Sequence, residues 1–220
     1  MGTRHPILAR EGWAHIAIVI ALAALATSLA PWWFWAPAWV VAVFVLQFFR
    51  DPERVPPSDP GLVLSPADGK VVFAGKASDP YLDRESYRIS VFMDVFSVHS
   101  NRSPVEGTIE GEWYAPGKFL NAALDKSSEL NERKALWIRD LQGHDVTVVQ
   151  VAGLVARRIL CHVKKGDTLT RGQRYGFIRF GSRVDVHLPL GDFEPGVALG
   201  DKLTAGTSVI GRFRSGKRHE

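Results

Sequence analysis

Three short segments carry the residue types from which a nucleophilic site could be assembled. Arg179-Phe180-Gly181-Ser182-Arg183-Val184-Asp185-Val186-His187-Leu188-Pro189 places a serine hydroxyl directly after a glycine. Asp94-Val95-Phe96-Ser97-Val98-His99-Ser100-Asn101-Arg102-Ser103-Pro104 sets a histidine at the end of an apolar run. Ser65-Pro66-Ala67-Asp68-Gly69-Lys70 sets an aspartate in a tight turn. A hydroxyl is a weak nucleophile and needs a base, which a third group must orient. Ser182, His99 and Asp68 are of those three types. Each also has a plainer reading. A Gly-Ser pair joins strand-like runs as a hairpin or bulge, Asp68 forms an Asx-turn, and a lone histidine after an apolar run is commonly structural. No Gly-x-Ser-x-Gly elbow surrounds Ser182, which argues against an ordinary serine hydrolase.

The remaining candidates weigh less. On an extended strand His187 shares a face with Arg183 and Asp185, opposite Ser182, Val184 and Val186, so it reads as a surface or packing residue. His144, between Gly143 and Asp145, reads as a hairpin turn, and His162 carries no assignment. Arg102, Lys118, Arg179 and Arg183 lie near the three segments and could meet a phosphate, although each also reads as a solvated surface charge. Cys161 is the only cysteine. That excludes an internal disulfide and a cysteine-clustered zinc site and fits a reducing compartment. No metal ligand set is expected.

The elements around these residues read mostly as β structure. Val71–Phe73, Tyr87–Phe92, Val105–Trp113, Val146–Val151, Tyr175–Phe180 and Arg183–Leu188 are short runs rich in branched and aromatic residues. Glycine, proline or aspartate separates them. Phe119–Arg133 is the one helical candidate among them. Gly-Asp-x-Leu-Thr-x-Gly occurs twice, at Gly166–Gly172 and Gly200–Gly206; its glycines suit tight turns between strands. The expected fold is a compact β-sandwich or barrel-like domain with lipoyl-like hairpins.

Before it stands a different kind of segment. From Trp13 to Phe49 there is no Asp, Glu, Lys or Arg. Such a run exceeds one membrane span of about 20 residues and falls slightly short of two. Ala30-Pro31 and Ala36-Pro37 interrupt it, with Trp32, Trp33 and Trp35 between them, as at a turn near a bilayer surface. Two short helices, roughly 14–30 and 37–49, are predicted to form a hairpin over residues 1–49, followed by a stiff polar linker at Arg50–Pro57 and a domain over 50–220. Arg4 and Arg10 precede the run and Arg50 and Arg54 follow it, which places the domain on the cytoplasmic side of the inner membrane. The chain of 220 residues has a net charge of +4 and is 46% hydrophobic, enough for a real core. Four of its basic residues, Arg212, Arg214, Lys217 and Arg218, crowd the last nine positions and suit anionic lipid. The rest is nearly balanced, so nucleic acid is not an expected partner.

Together, in this order and behind a membrane anchor, the three segments resemble the short bacterial form of phosphatidylserine decarboxylase. The resemblance runs from about Arg50 onward and takes in Asp125-Lys126 and Asn131-Glu132-Arg133. Enzymes of archaeal type, acting on a different lipid core, look similar. The resemblance implies a proenzyme that cuts itself between Gly181 and Ser182 into a β chain, 1–181, and an α chain, 182–220, which remain together as a heterodimer. His99 is implied as the base and Asp68 as its orienter. The α chain is implied to begin with a pyruvoyl group made from Ser182, with no PLP and no metal. Its ketone would take phosphatidylserine's amine as a Schiff base, and carbon dioxide loss would give phosphatidylethanolamine. Longer family members have a second histidine three residues before the matched one; here that position is Phe96. A membrane-anchored, lipoyl-like scaffold without enzymatic activity is the alternative, and it gives Gly181-Ser182, Asp68 and His99 no purpose.

Overall fold

The structure is a computed structural model, and it describes residues 7–117, 131–153, 159–179 and 181–214. The chain divides into two compact units, Met1–Glu53 and Arg54–Glu220.

The first unit is a helical hairpin. A single 3-10 turn, Arg10–Gly12, leads into α1, Trp13–Leu29, and α2 spans Trp32–Phe48. Ala30, extended as a residue before proline must be, and Pro31 alone join the helices. The second helix therefore starts five residues earlier than the expected 37. Pro31, with φ fixed near the helical value, caps its start, and Trp32, Trp33 and Trp35 lie in its first turns. Pro37 is inside the helix, where it removes one i→i−4 bond. Trp39 Nε1 donates to Thr27 Oγ1 across the hairpin (3.1 Å). At its open end Ala9 N donates to Phe49 O and Asp51 N to Ile7 O, at 2.8 and 2.7 Å. Large apolar side chains point outward all round, among them Leu22 (59% exposed) and Val40 (70%). A helix pair apolar on every side fits membrane association. Arg10–Leu29 is the one helix among the described residues long and apolar enough to cross a bilayer.

The second unit is β structure throughout its described length. Its strands are β1 Leu62–Leu64, β2 Gly69–Asp79, β3 Arg84–Met93, β4 Ser100–Arg102, β5 Gly107–Ala115, β6 Arg133–Asp140, β7 Asp145–Val151, β8 Ile159–Cys161, β9 Thr168–Leu169, β10 Arg174–Ile178, β11 Ser182–Pro189, β12 Phe193–Pro195, β13 Lys202–Leu203 and β14 Val209–Phe213. A curled sheet in the order β13-β2-β3-β11-β7-β6-β5-β9 is accompanied by β1-β14-β12 and β4-β10-β8. The core fills one face of the curled sheet with Val91, Met93, Leu136, Ile138, Val148, Val184 and Val186. Of the helical candidate Phe119–Arg133, residues 119–130 lie outside the described residues, as do Asp125 and Lys126; Arg133 opens β6 instead.

The repeated Gly-Asp motif is half of an internal two-fold. Ser65-Pro66-Ala67-Asp68-Gly69 and Ser103-Pro104-Val105-Glu106-Gly107 form matching turns, in which Ser65 Oγ donates to Ala67 O (2.7 Å) and Ser103 Oγ to Val105 O (2.6 Å). The turns bond to each other reciprocally, Leu64 N to Pro104 O and Arg102 N to Pro66 O, both at 2.9 Å. Each then takes one Gly-Asp copy: Gly200 and Asp201 bracket Val71 as Gly166 and Asp167 bracket Ile109. Gly172 and Gly206, at φ +76° and +71°, lie back to back where the copies meet. Asp68 thus has Glu106 as its structural counterpart.

Candidate active site

Ser182 is the first residue of β11, a strand inside the large sheet with β3 on one side and β7 on the other. Alternation along β11 sends Ser182, Val184 and Val186 into the core, and Arg183, Asp185 and His187 to the second face. Ser182 is fully buried, and its Oγ has no hydrogen-bond partner among the described residues. An orphaned buried hydroxyl costs about 1–3 kcal/mol, so a fold that retains one invites a chemical explanation. Gly181, immediately before it, stands at φ +60°, in the left-handed region that favours glycine. Nothing lies within 4 Å of the place a Cβ would occupy there, so conformation rather than space calls for glycine.

The surroundings of Ser182 are polar although buried. Ser182 pairs with Met93 on β3. Asn101 Nδ2 donates to Met93 Sδ at 3.8 Å, and Gln150 Nε2 donates to Asn101 Oδ1 at 2.7 Å. Gln150 lies opposite Val184 and so shares the face of Ser182. Its side chain fills the space above Gly176, where a Cβ would come within 2.6 Å of Nε2. This amide pair was not among the sequence candidates. The available signal was a glutamine inside the apolar run Val146–Val151.

His99 is fully buried just before β4. Its carbonyl accepts from Ile178 N at 3.2 Å, which ties it to β10, the strand that runs on through Arg179 toward Gly181 and Ser182. Its Nδ1 lies 2.9 Å from Ser97 O. A carbonyl only accepts, so Nδ1 carries the proton and Nε2 is the basic nitrogen. Ser97 is in turn held by Asp94, whose Oδ1 accepts from Ser97 Oγ and Phe96 N, each at 2.9 Å. That turn leaves Phe96 65% exposed.

Asp68 stands at the turn before β2. Its Oδ1 accepts from Ala205 N at 2.7 Å, and Arg54 Nη2 reaches Oδ2 at 3.0 Å. Of the cations considered for a phosphate, Arg102 is 5% exposed and donates to Gly172 O at 3.3 Å, a structural position between the two glycine turns. Arg183 pairs with Asp185 on the face away from Ser182 (Nη2–Oδ2 3.1 Å). Lys118 lies outside the described residues.

Two other histidines, His144 and His187, have packing and hydrogen-bond partners away from Ser182. His144 closes the β6–β7 hairpin through Asp140 Oδ2 at 2.8 Å and stacks on Phe213. His187, 4% exposed, packs rather than meeting solvent and bonds Ser86 Oγ at 2.9 Å. Burial pushes its pKa below 6.5, and the charges of Asp79 and Asp185 only partly restore it.

Residues 41–211 match the family model described as phosphatidylserine decarboxylase. Among curated proteins, a phosphatidylserine decarboxylase proenzyme of Nitrosomonas europaea is 59% identical over 95% of this chain and 96% of its own. The protein of that name from Aromatoleum aromaticum is 57% identical over 94% and 95%. The one from Cupriavidus taiwanensis is 56% identical over 96% and 97%.

Proposed function

The chain belongs to the phosphatidylserine decarboxylase family, and from that premise we propose that it is a proenzyme that cuts itself between Gly181 and Ser182 and then decarboxylates phosphatidylserine to phosphatidylethanolamine. One observation carries the reading: the Ser182 hydroxyl is buried without a partner among the described residues, directly after a glycine held at φ +60°.

His99 Nε2 takes the Ser182 hydroxyl proton, and Oγ attacks the Gly181 carbonyl. The Gly181–Ser182 amide bond breaks, the amine leaves with a proton from the imidazole, and Gly181 is held as an ester on Oγ. Loss of the Ser182 α-proton expels that ester. The β chain then ends in a Gly181 carboxylate whose new oxygen came from Ser182, and Ser182 becomes dehydroalanine. One water is taken up and one ammonia leaves, which makes the pyruvoyl end of the α chain. Ser97 O keeps the proton on Nδ1 and fixes the ring, so the basic nitrogen is available in one orientation. Asp68 supports the imidazolium that forms, by its charge.

Cleavage frees the start of β11 but leaves its ladders to β3 and β7, which hold the two chains together as a heterodimer. It also opens a residue that the uncut chain buries completely. The pyruvoyl ketone supplies an electron sink for the loss of carbon dioxide. His99 holds the proton returned to the α-carbon. The helical hairpin keeps the domain at the membrane, on the cytoplasmic side favoured by Arg10, Arg50 and Arg54. Purified protein given phosphatidylserine in detergent micelles should release carbon dioxide and form phosphatidylethanolamine. The Ser182→Ala variant should do neither; activity in that variant would defeat the proposal.

A further inference from the structure

The reaction above gives no task to the amide pair of Asn101 and Gln150, although the pair is built into the surroundings of Ser182. Met93 on β3 is the cross-strand partner of Ser182, and Asn101 reaches Met93 from β4. Gln150 on β7 lies opposite Val184, which makes Ser182 its diagonal neighbour on the same face. Diagonal neighbours stand about 7–8 Å apart, within reach of a long side chain. Ser182, Met93 and Asn101 are fully buried, and Gln150 is 1% exposed.

Sulfur decides how the two amides face. A thioether accepts weakly and donates nothing, so the Asn101 atom that meets Met93 Sδ at 3.8 Å is Nδ2. Asn101 Oδ1 then faces Gln150 and accepts from Nε2 at 2.7 Å. What is left over is Gln150 Oε1, buried and without a hydrogen-bond partner among the described residues. Gly176 makes room for this arrangement, since a Cβ there would come within 2.6 Å of Nε2. Met93, Asn101 and Gln150 thus hold one carbonyl oxygen in a fixed direction, in the interior, with no donor supplied to it. Leaving such an acceptor unpaired costs stability. The Ser182 hydroxyl is not the missing donor, because Oγ is unpartnered as well and the proposed scission consumes it.

We propose that Gln150 Oε1 is the acceptor for the substrate's amine, taking a hydrogen bond from the nitrogen as it reaches the carbon of Ser182. The assignment rests on the function proposed above. An amine leaving water brings N–H groups that a buried site must satisfy, and an amide oxygen does so without removing the proton. A carboxylate in its place would favour the ammonium form, which has no lone pair with which to attack a ketone. Gln150 therefore reads the amine, and Asn101 is a positioning residue behind it.

The test is amine capture on the full chain in detergent. Short-chain phosphatidylethanolamine is titrated in with cyanoborohydride, which fixes the lipid nitrogen to the Ser182 carbon. The α chain then gains the lipid's mass less one oxygen, and intact mass gives the captured fraction of cut chains. Half-saturation should rise about tenfold or more in Gln150→Met, which keeps the length and loses the acceptor. Short-chain phosphatidylmethanol carries the same phosphate without an N–H. As a competitor it should act on wild type and variant alike. Equal capture by the two proteins would overturn the assignment, and so would an equal weakening of both lipids, the mark of a packing defect. An uncut wild type defeats instead the function on which the assignment rests. Should the variant not fold, a crystal structure of captured wild type decides. A nitrogen within about 3.2 Å of Gln150 Oε1 is expected, and a separation of about 4 Å or more overturns the assignment.

Discussion

His99 Nδ1 is bonded to the carbonyl oxygen of Ser97 at 2.9 Å, so the ring is oriented by backbone, two residues away. In a Ser-His-Asp set the carboxylate performs that task. Here the described contacts of Asp68 are with Arg54 and Ala205. In the reaction proposed above Ser97 O orients the ring and Asp68 supplies only charge, and variants can separate the two.

His99→Asn keeps a donor for Ser97 O but has no basic nitrogen. It should fold, with self-cleavage slowed by about 10²–10⁴-fold, the usual worth of a positioned acid–base group. Time courses of the uncut band on gels measure this. A wild-type rate would remove His99 from the mechanism.

Asp68→Asn keeps an acceptor for Ala205 N and loses the charge. Cleavage should slow about tenfold, equivalent to roughly 1.4 kcal/mol, with folding retained. Arg54→Gln, which removes the ion pair but not the carboxylate, should not slow it. If both variants slow cleavage equally, the ion pair is what matters and Asp68 has no separate part.

Gly181→Ala meets no atom within 4 Å, so its cost comes from φ +60° alone, about 1–2 kcal/mol. In a Ser182→Ala background, where no cut should occur, this should lower Tm by about 2–8 °C. An unchanged Tm would mean that Gly181 does not need the left-handed conformation.

Burial lowers the pKa of His187 below its ordinary 6.5. The unfolded chain then binds the proton more readily than the folded one, so no penalty exists well above pH 6.5 and one grows as pH falls below it. Wild-type Tm should drop between about pH 6.5 and 5, and His187→Asn, which can still bond Ser86, should drop less over that window. Parallel curves would show that His187 does not contribute.

The β runs were legible because branched and aromatic residues alternate between turns, and β11 was read with Ser182 and His187 on opposite faces. What alternation cannot reveal is that both faces are covered: Asp185 and His187 look like solvent residues until the β2–β3 turn closes over them. The Gly-Asp repeat was visible as five identical positions out of seven, whereas its partner turns at Ser65 and Ser103 match at only three. Trp32 was read as interfacial turn because Pro37 looked like a helix start; the helix instead begins at Trp32, capped by Pro31, and absorbs the second proline. Ser97's role belongs to its backbone, which no side chain announces.

The central claim is the scission at Gly181-Ser182, and intact mass of the purified protein beside Ser182→Ala measures it most directly. Two wild-type chains are predicted, the first ending at Gly181 and the second lighter than residues 182–220 by one ammonia, with the variant whole. A single uncut wild-type chain, or a cut whose second chain keeps a free serine amine, would contradict the pyruvoyl enzyme described above.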